Sequence, residues 1–372
     1  VKRFISLTMA AVLMGASVSA CGFNSVEVKP ESGNDKVEIV TTIFPEYDWV
    51  KNVLGENPAD AEVTMLIDKG VDLHSFQPTA DDIIKISSCD MFVYVGGESD
   101  EWVADALKEA VNKDMVVINL LDCLGDSVKE EEVVEGMQEE EHDHDEEDHD
   151  HENAEEKHDH ENEEEHHDGH ESEGEHHEGH EPEDHDHHHE EGEIEYDEHV
   201  WLSLRNAETL TQKISEGLQT IDHANAETYK KNAADYIGKL QALDADYQAA
   251  VDGASVRTLL FGDRFPFRYM VDDYGLDYFA AFVGCSAETE ASFETVSFLS
   301  KKVDELSLPA VMTIEGPDHR IAETIVQNTG AKNQKILTLD SMQATTGEDV
   351  KNGTTYLSVM ENNLSVLKEA LD

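Results

Sequence analysis

Short apolar runs and amphipathic stretches alternate along most of this chain. Val37 to Thr42, Ala61 to Ile67, Met91 to Val95 and Val116 to Asn119 read as buried strands, separated by helical patterns near Asp48 to Leu54, Thr79 to Ser87 and Glu101 to Ala110. A second set follows further on. Strands are expected at Val256 to Phe261, Tyr278 to Val283, Ala310 to Ile314 and Lys335 to Leu339, with helices near Phe267 to Tyr274, Phe293 to Leu306, Pro317 to Thr329 and Tyr356 to Leu371. Strand–helix alternation predicts a parallel sheet with crossover helices, here twice over, and hence two α/β lobes.

Between the two sets the period changes. Asn206 to Gly217 looks helical, and from about Asn225 to Val251 the apolar positions Tyr229, Tyr236, Ile237, Leu240, Leu243, Tyr247 and Val251 recur at three- and four-residue steps. At about 1.5 Å per residue such a helix is roughly 40 Å long, enough to join two lobes. The pattern spans too few heptads for a coiled-coil dimer, so a monomer is expected.

One stretch fits neither period. Glu141 to Glu191 is a low-complexity run of His, Glu and Asp holding His142, His144, His149, His151, His158, His160, His166, His167, His170, His176, His177, His180, His185, His187, His188 and His189. It offers almost no apolar surface to offset the entropy of ordering, so a disordered loop over 130–195 is expected. Imidazole beside carboxylate is ligand chemistry for zinc and its borderline neighbours, and a cloning tag is rarely internal or so acidic. Weak auxiliary metal binding in many arrangements follows. Glu130 to Glu198 holds 36 acids against one lysine, so 35 of the 58 net negative charges sit here. That balance argues against nucleic acid or an anionic membrane surface as partner and for attraction of cations.

The chain begins with Lys2 and Arg3, a mostly apolar run from Phe4 to Val18, and Val18-Ser19-Ala20-Cys21. The run is short for a membrane span and reads as a signal peptide over 1–20. The small residues before Cys21 resemble a bacterial lipobox, which makes Cys21 the lipidation site and places the protein on the extracytoplasmic face of the cell membrane; a secreted protein with an incidental cysteine is the alternative. A polar spacer over 21–36 follows. The expected order is then an N-terminal lobe over 37–222 containing the loop, a linking helix over 223–252 and a C-terminal lobe over 253–372. Cys89 and Cys123 each flank a neighbouring predicted strand, and in an exported chain they are the pair to suspect of a disulfide.

Ligands of open α/β sheets bind beyond the carboxyl ends of strands, so metal-ligand residue types there are the candidates. His74 follows the second strand, His199 follows the acidic run, and Asp263 and Glu315 come within two residues of the ends of second-lobe strands. Two per lobe imply a metal site in the cleft between lobes. His223 reads as a helix-start residue, and His319, four residues after Glu315, as a surface residue.

These residues stand in specific surroundings: Thr41-Thr42-Ile43-Phe44-Pro45, Asp72-Leu73-His74-Ser75-Phe76-Gln77-Pro78-Thr79, His199-Val200-Trp201-Leu202, Tyr269, Tyr274-Gly275-Leu276 and Ile314-Glu315. With the His-rich insertion, the chain resembles the zinc/manganese substrate-binding lipoproteins of bacterial ABC importers, in their zinc-binding branch. The resemblance implies two lobes joined by one long helix and a single metal held in the cleft at His74, His199 and Glu315. It also implies delivery of Zn2+, or of Mn2+, to an ABC permease and its ATPase, with no enzymatic activity. One position departs from the family. Five residues before Tyr269 a His, or a Glu in manganese-type members, is usual, and here Arg264 stands; arginine does not ordinarily ligate a metal. Asp263 is the first choice to replace it, three ligands and water the alternative, with His319 and Cys285 behind. A manganese- or iron-type receptor, a surface zinc buffer or adhesin, and a metallohydrolase are the competing functions. Against the last, the chain lacks His-Glu-x-x-His.

Overall fold

In the computed structural model, the structure describes residues 36–56, 58–138, 195–286, 290–316 and 318–372. The expected signal peptide, Cys21, most of the spacer and all sixteen histidines of the acidic run lie outside the described residues.

The first sheet is built from β1 (Glu38–Thr41), β2 (Glu62–Met65), β3 (Met91–Tyr94) and β4 (Val116–Asn119), and the second from β5 (Thr258–Phe265), β6 (Asp277–Val283), β7 (Ala310–Ile314) and β8 (Lys335–Leu339). Their orders are β2-β1-β3-β4 and β6-β5-β7-β8, with every pairing parallel. The helices are α1 (Phe44–Leu54), α2 (Ala80–Ser88), α3 (Trp102–Lys108), α4 (Leu120–Leu124), α5 (Leu204–Ile221), α6 (Ala226–Gly253), α7 (Arg268–Tyr274), α8 (Phe293–Leu306), α9 (Arg320–Asn328), α10 (Gly347–Lys351) and α11 (Tyr356–Leu371). The fold is therefore α/β with two parallel-sheet lobes. In each sheet the order reverses at the first strand, and such a switch point opens a crevice at the strands' carboxyl ends.

The linking helix α6 runs for 28 residues. Tyr229, Ala233, Tyr236, Leu240, Leu243, Tyr247 and Val251 form its buried stripe, with Ile237 only half-buried. Tyr236 donates to Asp48 Oδ2 of α1 at 3.2 Å and Tyr247 donates to the Met360 carbonyl of α11 at 2.7 Å, so one helix is tied to both lobes. His223 lies exposed in the short 3-10 turn before it, as a helix-start residue should.

Three expectations are corrected. Cys89 and Cys123 are both free, the Cys89 thiol donating to the Ile86 carbonyl at 3.3 Å. The reason is topological: Cys89 precedes β3 and Cys123 follows β4, and because the strands are parallel these positions fall at opposite ends of the sheet. Second, residues 130–138 are ordered and lie against the second lobe. Gln138 N donates to the Ala281 carbonyl at 3.0 Å, Glu132 pairs with Arg268 at 3.0 Å, and Val134 and Met137 pack on the core. Those apolar residues supply the burial that the acidic run lacks. Third, β5 continues four residues past its expected end through a bulge, where Gly262 and Asp263 together oppose one residue of β6. At Gly262 α9 packs directly on the strand, where a Cβ would lie 2.6 Å from Ala322 Cα.

Two carboxyl groups are buried beneath β1 and β3. Glu46 Oε2 accepts from Thr42 N at 2.8 Å and Ile43 N at 3.2 Å, capping α1, and burial followed by repulsion from Asp100 holds Glu46 well above the carboxylate range. Burial also raises Asp100, to about 7, against a hydrogen bond from Gly96 N at 3.0 Å. The folded state therefore holds the Asp100 proton more tightly than the unfolded chain. The resulting stabilisation is largest at low pH and is lost between about pH 4 and 7, by up to roughly 4 kcal/mol. Asp100→Asn, which cannot ionise, is expected to remove most of this group's share of the fall in urea stability between pH 5 and 8. Equal losses in variant and wild type would show that Asp100 does not titrate in this window.

Candidate metal centre

His74 sits in a 3-10 turn, Leu73–Ser75, beyond β2, where Asp72 accepts from its backbone N at 3.1 Å. His199 is fully buried at the start of the 3-10 turn Val200–Leu202. Their Nε2 atoms face each other at 3.3 Å. Two nitrogens bound to one tetrahedral zinc at about 2.0–2.1 Å stand roughly 3.3–3.4 Å apart, so the pair is spaced as two ligands of one ion.

The outer nitrogens explain the orientation. His199 Nδ1 lies 2.9 Å from Asp197 Oδ1, which also accepts from His199 N at 2.8 Å. His74 Nδ1 lies 2.7 Å from Ser99 Oγ and 3.4 Å from Glu198 Oε2. With the protons on Nδ1, both Nε2 lone pairs point into one space, an arrangement that calls for a cation between them. Protons compete for the same place. Burial and the facing His199 push His74 down to about 4, whereas at His199 the effect of burial is outweighed by the Asp197 carboxylate and the net shift is upward.

A third ligand type joins them. One donor atom each from His74, His199 and Cys285 lie within 4.8 Å of one another, the one such group of three among the described residues. Burial and the carboxylates Glu131, Asp197 and Glu198 push the Cys285 thiol up. His74 and Cys285 line two adjoining cavities. One, of about 440 Å³, is walled by Glu98, Glu101, Glu131, Glu195 and Glu198 and is a cation-attracting approach. The other, of about 510 Å³, is bordered by Asp263, Arg264 and Glu315.

Of the four residues expected as ligands, then, His74 and His199 are brought together, while the two carboxylates border the second cavity outside that group, each held by backbone donors. Glu315 accepts from Ser341 N at 2.6 Å, Ser341 Oγ at 2.7 Å and Gln343 N at 3.1 Å. Asp263 accepts from Arg264 N at 2.9 Å and Ile314 N at 3.2 Å, and burial raises its pKa. Arg264 reaches the other lobe and donates to Asp72 Oδ2 at 2.8 Å; against burial, this guanidinium holds Asp72 below the usual carboxylate range. His319 is half-buried just before α9 and is not part of the group.

Reading the sequence missed Ser99, Asp197, Glu198 and the full weight of Cys285. The signal for Cys285 was present: it lies two residues past the strand ending at Val283, the same strand-end rule that selected His74. Asp197 and Glu198 were hidden as the tail of the acidic run, although an acid two residues before a candidate ligand histidine is a natural Nδ1 partner.

Comparison with known proteins gives consistent results. The profile of the family described as ZnuA, zinc-uptake complex component A, periplasmic, matches residues 39–370. The zinc-binding lipoprotein AdcA of Streptococcus pneumoniae is 31% identical over 342 residues, covering 92% of this chain and 57% of that protein. The zinc-binding protein AdcA of Streptococcus pyogenes is 29% identical over 358 residues, 93% of this chain and 58% of its own length, so the chain spans little more than half of these relatives. The high-affinity zinc uptake system protein ZnuA of Bacillus subtilis is 28% identical, covering 95% of this chain and 93% of that protein. Among solved structures, the Zn(II)-bound ZnuA-like domain of S. pneumoniae AdcA superposes with a TM-score of 0.62 at 27% identity, covering 91% of this chain and 99% of that domain.

Proposed function

Because the chain belongs to the family of zinc-uptake complex component A proteins, we propose that it is the extracytoplasmic receptor of an ABC importer, capturing Zn2+ in the cleft and delivering it to a membrane permease and its ATPase. The observation that carries this reading is the pair of Nε2 atoms 3.3 Å apart, each on a ring whose other nitrogen is already engaged. His74 and His199 are the two ligands that need no rearrangement. Asp263 and Glu315 stand outside the group of His74, His199 and Cys285 and would have to move toward it to ligate the same ion. The protein performs no chemistry on its cargo; capture and release are its working steps. Anchorage through Cys21 belongs to the same proposal, supported by the lipoprotein name of the pneumococcal relative. Among the described residues no helix is long and apolar enough to cross a membrane.

The test is a zinc titration of the full-length chain against chelators of graded strength. One equivalent is expected to bind at about nanomolar Kd or tighter, as the roughly 10–16 kcal/mol of structural zinc sites implies. Further equivalents in the histidine-rich run should bind far more weakly, since ordering that run costs entropy. A chain whose equivalents are all weak is a zinc buffer, and the receptor reading fails.

A further inference from the structure

We infer that Cys285 is the third protein ligand of the cleft metal, making the site selective for thiolate-accepting cations of the zinc class over Mn2+. This rests on the receptor reading above and concerns the identity of its ligands.

Four observations converge on the thiol. Cys285 follows Gly284, at which a Cβ would stand 3.0 Å from His199 Cε1 and 3.0 Å from the Phe265 carbonyl, so any side chain there would have to push the turn back from the imidazole by a few tenths of an ångström. Cys285 N then donates to Glu131 Oε1 at 3.3 Å, holding the turn in place. The other ligand candidates stand apart from the imidazole pair. Arg264 pairs with Asp72 across the lobes, while Asp263 and Glu315 lie outside the group that His74, His199 and Cys285 form. Finally, Glu198, only 2% exposed, keeps Oε2 without a hydrogen-bond donor, 3.4 Å from His74 Nδ1. A buried carboxylate oxygen left so beside a ligand imidazole is accounted for by positive charge arriving at that imidazole.

The geometry requires little movement. Zinc–sulfur and zinc–nitrogen bonds of about 2.3 and 2.0–2.1 Å put sulfur roughly 3.5–3.6 Å from each nitrogen. With the donor atoms within 4.8 Å of one another, at most about 1.3 Å is left to close, within reach of a side-chain rotation. On binding, the thiol gives its proton to water and the thiolate enters the metal's coordination sphere. Thiolate favours Zn2+ and Cd2+, whereas Mn2+ prefers oxygen ligands.

Cobalt(II), a spectroscopic substitute for zinc, tests this on the full-length chain. The tightest cobalt equivalent should produce a near-ultraviolet thiolate-to-cobalt charge-transfer band. The acidic run contains no cysteine, so it cannot contribute that band. Cys285→Ser should abolish the band and weaken zinc binding by roughly 10- to 100-fold or more, with the preference for Cd2+ over Mn2+ narrowed; Cys89→Ser and Cys123→Ser should keep the band. Tight cobalt binding by the wild type without the band, or a band that survives Cys285→Ser, overturns the inference while leaving the receptor intact. Absence of any tight equivalent overturns the receptor reading itself.

Discussion

His199→Ala is expected to weaken the tightest zinc equivalent by roughly 100- to 1,000-fold. About 10–16 kcal/mol shared among four ligands is roughly 2.5–4 kcal/mol each, and every 1.4 kcal/mol is tenfold. His199 should lie at the upper end. It is fully buried, its Nδ1 is 2.9 Å from Asp197 and its Nε2 3.3 Å from His74, so removing it leaves Asp197 without its ring partner as well as deleting a ligand. Competition with a chelator of known affinity measures the change, and equivalents bound by the histidine-rich run should be unaffected. A variant within threefold of wild type would remove His199 from the ligand set.

Trp201→Ala should be the most damaging single change to the fold, at about 3–5 kcal/mol, as large-to-small replacement of a buried tryptophan costs. The side chain is 1% exposed. Its Nε1 donates to the Ser341 carbonyl at 2.9 Å, and its own carbonyl accepts from Tyr356 at 2.6 Å, so this residue of the His-Val-Trp-Leu turn is bonded to the end of β8 and the start of α11. Its ring also lies 5.2 Å from that of His199. Ser341 in turn donates to Glu315, so loosening this contact reaches both sides of the cleft. The expected loss of melting temperature is roughly 10 °C. Trp201→Phe, which keeps most of the packing but not the indole hydrogen bond, should lose about 1–2 kcal/mol. If the two variants are equally damaging, the hydrogen bond rather than the packing carries the residue's contribution.

The periodicities along the chain were sufficient for the elements. Among the described residues, all eight strands and nine of the eleven helices fall where apolar runs and three- and four-residue steps place them, because strand and helix patterns are written in near neighbours. The two missed helices, Leu120–Leu124 and Gly347–Lys351, have five residues each, too few to show a period. His74 and His199 were legible for a similar reason: a ligand type beyond a strand end is a local pattern, and parallel strands bring their carboxyl ends to one edge.

What the tertiary structure alone decided is the fate of groups that compete for distant partners. Asp263 and Glu315 are as well suited to zinc as any carboxylate, yet the fold holds them on the amides of Ile314, Ser341 and Gln343, outside the group that His74, His199 and Cys285 form. Residues 130–138 were read as part of a disordered acidic run and instead lie on the second lobe, through the apolar contacts of Val134 and Met137. Cys285 stands beside His199, 86 positions earlier in the chain, because a glycine without a Cβ lets two turns meet. Helix and strand periods follow from the covalent geometry of adjacent residues. Which donor reaches which acceptor depends on how two lobes fold onto each other, and spacing along the chain carries no record of that.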